Sequence, residues 1–179
     1  MVKRVVFSGS GGQGVITASI ILAEAAVIYD DLNAVQTQSY GPEARGGATR
    51  ADVIISREPI HYPKVLNPHV LVCLTQEAYG KFSGIIRPGG LLLTDSKFVK
   101  VERKVDARQV ELEMYGAVMA EIGNAIVFNV CMLGALIGLT DLVRPNSALE
   151  MVKSKINPDF LEMNEKAFGI GMRLADSHK

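Results

Sequence analysis

The sequence has no tryptophan and only two cysteines in 179 residues. Cys73 and Cys131 stand far apart, at no spacing that a zinc or iron–sulfur site uses, so this chain alone is expected to supply neither centre. Each lies in an apolar run and reads as a buried free thiol. An excess of charge is also lacking: 19 Lys plus Arg balance 19 Asp plus Glu. That balance offers no footprint for nucleic acid or an anionic membrane, and neither partner is expected. No apolar run reaches the ~20 residues that a bilayer crossing needs. The most hydrophobic stretch, residues 125–139, is interrupted by Asn129 and reads as a buried helix. The opening residues run into a strand pattern without a charged-then-apolar leader, so a cytoplasmic location is the expectation. Gly-x-Ser-x-Gly is missing, which leaves nucleophilic hydrolysis without a candidate. His61, His69 and His178 have no companions at catalytic or metal spacing and read as solvated or locally bonded.

What is present is a large apolar fraction, 48% against 21% charged residues, enough for a packed core in one domain spanning residues 1–179. Residues 2–8, 33–38, 49–56, 70–74 and 91–94 read as strands, with an apolar core such as Val53-Ile54-Ile55 in the third, and residues 15–29 carry helical spacing. Pro59, Pro63 and Pro68 leave no room for a long helix between the third and fourth strands. Thr75 is the expected N-cap of the helix after the fourth. Residues 98–110 are polar and β-leaning, which suggests an antiparallel addition to the sheet. From Glu111 onward the pattern is mainly helical, with Asn146 and Asn157 as expected caps. Gly134 and Gly138, four apart on the apolar helix, suit close approach by another helix or a second subunit, a homodimer contact included. The expected fold class is α/β: a single domain, a mostly parallel sheet with flanking helices, and a helical C-terminal part.

Two loops carry the chemistry. Gly9-Ser10-Gly11-Gly12-Gln13-Gly14 joins the first strand to the first helix, with Gly9, Gly11 and Gly14 at dinucleotide-fingerprint spacing. Gly9 would permit the tight turn, Gly11 a close backbone approach to pyrophosphate, and Gly14 helix–strand packing; the N–H groups at the helix start can hold an anion. A nicotinamide cofactor also wants an acid at the end of the second strand, where Gln36, Thr37 and Gln38 stand instead. No Lys-Ser or Lys-Thr follows the loop, so it is not an ATP P-loop. A turn that serves only helix–strand packing is the plain alternative. The second loop, residues 39–47, sets three glycines and a proline beside Glu43 and Arg45. Loops of that make-up usually touch something. Arg45 and Arg50 could fork onto phosphate or carboxylate oxygens; alternatively Arg45 pairs with Glu43 or Asp52, which adds little stability.

Gly11-Gly12-Gln13-Gly14 on such a turn, followed by Gln38-Ser39-Tyr40-Gly41-Pro42-Glu43-Ala44-Arg45-Gly46-Gly47, resembles the gamma subunits of 2-oxoacid:ferredoxin oxidoreductases. The second loop is most similar to the 2-oxoglutarate-type enzymes; pyruvate-type subunits tend to carry a Glu-Arg-Arg-Gly version. The likeness runs more loosely through Gly89-Gly90 and Asp95, and through Asn129 and Leu133-Gly134-Ala135, covering most of the first 140 residues. It implies a fold like the gamma domain of pyruvate:ferredoxin oxidoreductase, and a subunit that is inactive in isolation. Such enzymes convert a 2-oxoacid, coenzyme A and oxidised ferredoxin into acyl-CoA, carbon dioxide and reduced ferredoxin. The resemblance puts thiamine diphosphate on the alpha and beta subunits and the iron–sulfur clusters on beta or delta, with ferredoxin reached through the complex. This chain correspondingly lacks a Gly-Asp-Gly thiamine diphosphate signature. By the same resemblance, Gly9, Gly11, Gly12, Gln13 and Gly14 face the coenzyme A phosphates or a partner subunit. Arg45 then supplies a charge, Tyr40 and Gln13 border the shared cleft, and Gly41, Glu43 and Gly46 complete its loop. Two other readings stand beside it: a self-sufficient NAD(P)-binding oxidoreductase, and an assembly module that binds no small molecule.

Overall fold

The computed structural model describes residues 2–39, 47–102 and 104–179. Its centre is β1 (Val2–Gly9), whose residues 5–9 are buried. The glycine turn leads into α1 (Val15–Ile28), and the chain returns through β2 (Asn33–Gln38) and β3 (Thr49–Ser56). The proline-punctuated connection then delivers β4 (Val70–Cys73), α2 (Gln76–Phe82), β5 (Gly90–Asp95) and β6 (Ala107–Leu112). Helices α3 (Met114–Glu121), α4 (Phe128–Thr140), α5 (Pro145–Lys155) and α6 (Leu161–Asp176) follow. Among the described residues the strands form one sheet in the order β2-β3-β1-β4-β5-β6. β3 runs antiparallel to both its neighbours, and β1, β4, β5 and β6 are mutually parallel. The α/β class and the mostly parallel sheet are as expected from the sequence.

Alternation along the strands splits the core in two. Val5 and Phe7 of β1 point to the face covered by α1, α4 and the C-terminal helices, whereas Val6 points to the smaller face under α2 and the connection around Val65. Cys73 lies in the smaller half and Cys131 in the larger, each fully buried and unpaired, in agreement with the sequence reading. Two cysteines on opposite faces of a sheet cannot share a cluster. Among the described residues no group of three or more His, Cys, Asp or Glu is gathered to hold a metal ion, and no helix is long and apolar enough to cross a membrane.

Ten of the thirteen residues of α4 are buried, so it is covered on nearly every side. The close approach expected at Gly134 and Gly138 is made within the chain, by α6. A Cβ on Gly134 would lie 2.3 Å from the carbonyl oxygen of Phe168, and one on Gly138 would lie 2.7 Å from the Cβ of Ala175. Gly171 reciprocates from α6, with Cys131 O 1.9 Å from the place its Cβ would take.

Two expectations need correction. β6 is parallel to β5, with Leu93 opposite Val110, and starts at residue 107; the described residues among 98–106 form no strand. Asn146 is not a cap: α5 begins at Pro145, and its first turn is held by Asp30 from the far end of α1. The Asp30 carboxylate accepts from the Arg144 N–H at 2.7 Å, from Arg144 Nε at 2.8 Å and from the Ser147 hydroxyl. Asn157 and Thr75 do cap, accepting from the N–H groups of Asp159 and Ala78.

Candidate functional site

In an open α/β sheet, ligands gather outside the carboxyl ends of strands whose connections leave in opposite directions. Here that place lies between β1 and β4. The connection from β1 passes through α1 on the larger face toward β2, and the one from β4 passes through α2 on the smaller face toward β5. The glycine turn occupies the first strand end and Thr75 the second.

Gln13 ties the two ends together. Its Nε2 donates to the carbonyl of Leu74, just past β4, at 3.0 Å, and its Oε1 accepts from the N–H of Ser10 at 2.8 Å. Both ends of the amide are therefore engaged inside the turn, and Gln13 shapes the cleft from within. A Cβ on Gly9 would fall 2.5 Å from that same Oε1 and 3.3 Å from the Cβ of Leu74, so Gly9 leaves room for the latch. Gly14, with φ 72°, is the N-cap of α1. The space its Cβ would fill is taken by Asn129 of α4, whose Nδ2 and Cβ come within 2.6 and 2.7 Å, and whose Nδ2 donates to the Gly14 carbonyl. Asn129 thus finds the hydrogen bond that a polar residue in an apolar helix requires. Gly11 and Gly12 are exposed, with no atom within 4 Å of an added Cβ. No side chain caps the first turn of α1, so its leading N–H groups lack an intrahelical partner.

A cleft of about 350 Å³ opens here, lined by Gly9, Ser10, Gly11, Gly47, Ala48, Thr75 and Glu77. Thr75, whose Oγ1 accepts from the Ala78 N–H at 3.1 Å, and Glu77 were not among the residues singled out from sequence as cleft-lining. The signal for them is positional: each follows a strand that ends beside the glycine turn. Tyr40, Gly41, Glu43, Arg45 and Gly46 lie outside the described residues. Gly47 and Ala48, immediately after them, line the cleft, so the second loop returns to the sheet beside the first. Arg50 is not available to a ligand there. Its guanidinium donates to Asp52 at 2.7 and 2.9 Å and to the carbonyl of Val65, and stacks over the Phe82 ring. That bidentate pair also occupies Asp52, one of the partners considered for Arg45.

One strand further along the same edge, Asp95 ends β5 fully buried. Its carboxylate accepts from the N–H groups of Lys97 at 2.9 Å and Tyr115 at 2.8 Å, which fixes the start of α3. Burial pushes this carboxyl above the usual range despite those donors. Around it Phe98, Tyr115 and Phe128 stack edge to face, and Lys97 Nζ sits 3.9 Å over the Tyr115 ring. Gln36 and Gln38 lie on β2, which β3 separates from β1, so the place beside β1 where a nicotinamide fold puts its parallel, acid-bearing second strand is taken by the antiparallel β3.

Residues 4–174 match the family described as pyruvate ferredoxin/flavodoxin oxidoreductase. The chain is 44% identical to 2-oxoglutarate synthase subunit KorC of Methanocaldococcus jannaschii, over 98% of this chain and 95% of that one. It is 42% identical to the subunit of the same name from Methanothermobacter marburgensis, over 97% of each. The crystal structure of the keto/oxoacid ferredoxin oxidoreductase gamma subunit from Geobacter sulfurreducens superposes with a TM-score of 0.92 at 40% identity, covering 99% of this chain and 98% of that one.

Proposed function

The chain belongs to the pyruvate ferredoxin/flavodoxin oxidoreductase family as a gamma subunit of a 2-oxoacid:ferredoxin oxidoreductase, and on that premise we propose that it helps form the coenzyme A region of a 2-oxoglutarate-type enzyme. The observation that carries this reading is the cleft between the ends of β1 and β4, held open by the Gln13 latch and floored by the bare backbone of Gly11. The exposed turn lets a pyrophosphate approach the backbone, and the uncapped N–H groups of α1 favour negative charge. Glu77 gives the cleft one acidic wall, so coenzyme A phosphates would enter on the Gly11–Gly12 side, with Arg45 supplying the compensating cation. Tyr40 borders the same cleft, and Gly41, Glu43 and Gly46 shape its loop.

The oxidative decarboxylation itself belongs to the partner subunits. Thiamine diphosphate, on alpha and beta, supplies the carbanion-stabilising chemistry, and clusters on beta or delta carry electrons to ferredoxin. This chain does not fit either cofactor: its cysteines are buried on opposite faces, and it has no thiamine diphosphate signature. Its work is to position coenzyme A and close the active-site region from one side.

Anaerobic affinity purification of the tagged chain from its own cells should recover a thiamine diphosphate-binding subunit and a cluster-bearing one. Recovery alone or with unrelated proteins counts against the proposal. In the assembled enzyme, Arg45→Ala should raise the KM for coenzyme A roughly tenfold with little change in kcat, as expected when a charge-assisted contact to the substrate is lost. Dissociation of the complex with unchanged kinetics would instead favour an assembly module that binds no small molecule.

A further inference from the structure

The sheet has a second set of concavities at its amino edge, opposite the glycine turn. One, of about 410 Å³, brings together Lys3 of β1, His69 before β4, Arg87 in the turn before β5 and Arg108 of β6. No carboxylate lines it among the described residues. Nor does Lys3, Arg87 or Arg108 form an ion pair with a described acid, although this protein pairs many of its other cations. The end of α4 also faces the space, but a helix terminus carries about half a unit of negative charge, well short of three cations.

The hydrogen bonding of His69 is frustrated in a specific way. Its Nδ1 is 3.1 Å from the backbone N–H of Arg4, and its Nε2 is 2.7 Å from Arg87 Nη1. A neutral imidazole has one acceptor nitrogen, and a guanidinium only donates. One of the two contacts therefore sets donor against donor. Protonating the ring would make both unfavourable, and burial, followed by the charges of Arg87, Lys3 and Arg4, holds His69 below the ordinary histidine value. An oxygen that accepts from both the ring and the guanidinium would relieve the conflict and neutralise the cations together.

We propose that this cavity binds a small molecule through a doubly charged anionic head, either a phosphoryl group or a pair of carboxylates, held by the Arg87 and Arg108 guanidiniums and Lys3 with His69 as a further donor. Planar guanidiniums match either oxyanion in two-pronged fashion, while Lys3 adds a point charge. The cavity exceeds the size of a bare phosphate, which leaves room for an organic body against Val70, Leu91 and Leu139.

The test is titration of the full chain, ring-labelled at histidine and followed by NMR. Inorganic pyrophosphate serves as the phosphoryl probe, tricarballylate as the carboxylate probe, and sodium chloride as the control at matched ionic strength. A saturable shift of the His69 signals is expected with at least one probe, together with a rise in its pKa as the surrounding cations are neutralised. The probe that saturates at lower concentration identifies the source of the oxyanion. Arg87→Gln with Arg108→Gln should weaken that response by at least about tenfold. Lys3→Gln alone should weaken it less, and Lys64→Gln, outside the cavity, should leave it unchanged. A response matched by sodium chloride, or a saturable one indifferent to the arginine substitutions, overturns the proposal. So does a His69 that ignores both probes yet shifts when the other subunits are added, for the cavity would then lie at a subunit contact.

Discussion

Gly14 is fixed twice over, by a left-handed backbone and by the Asn129 side chain in the space beside it. Gly14→Ala should therefore cost at least about 1–2 kcal/mol, measured by urea unfolding. Gly11 differs: its φ lies outside the left-handed region and nothing approaches its Cβ position. Gly11→Ala should leave stability within about 0.5 kcal/mol. If it raises the KM for coenzyme A in the assembled enzyme, the effect reports backbone approach by the ligand rather than folding. An unchanged KM would remove Gly11 from the contact. The motif's position was legible in the sequence, but two of its roles were not. Gly14, read as a helix–strand spacer, makes room for Asn129, and Gly9 accommodates the Gln13 latch. Both partnerships depend on elements that sequence spacing does not bring together: Asn129 is 115 residues from Gly14, and Leu74 is 61 residues from Gln13.

At the scale of elements, the α4–α6 contact at Gly134 and Gly171 is against backbone, so no rotamer change there can admit a side chain. Gly171→Ala would set a methyl 1.9 Å from Cys131 O and 2.6 Å from Ala135 N, and should destabilise by about 3 kcal/mol or more, read as a lowered unfolding midpoint. The cap that Asp30 places on α5 has a pH signature. Burial works to raise this carboxyl, but the Ser147 hydroxyl and the Arg144 N–H and guanidinium outweigh it and hold Asp30 below the usual carboxylate range. A depressed folded pKa contributes stability above the unfolded value of about 3.9, lost as pH falls through the folded one. The stability difference between the wild type and Asp30→Asn should thus be widest near neutrality and narrow with acidification below about pH 4. The central strands β1, β4 and β5 were legible because each is a short, mostly apolar run close to turn residues. The direction of β6 was not. Parallel connections normally carry a helix, and the residues linking β5 to β6 show no helical period. The cap of α5 was missed for a related reason: its acceptor comes from the end of α1, and a local rule looks only at the neighbouring Asn146.

For the molecule as a whole, the two thiols report on its integrity. Burial pushes both Cys73 and Cys131 up to about 12, and they sit in the two core halves. Neither should react with a thiol reagent at pH 8 in the native state. Under mild denaturant both should be labelled at one common rate, that of global opening; a faster Cys131 would show that the α4–α6 half opens separately. The existence of two packed faces followed from sequence, since apolar runs buried on both sides require cover on both. What covers which face did not, because helix composition alone does not choose a side. That arrangement bears on how the protein is made. α4 is apolar around almost its whole circumference, and its cover α6 is synthesised only after α5. At 5–20 residues per second, translating residues 141–176 takes roughly 2–7 s. During that interval the nascent chain carries its most hydrophobic helix without its mate, and a chain cut short before Gly171 would keep it so. The demand for chaperones should accordingly peak in that interval, when the strands of the sheet are already made.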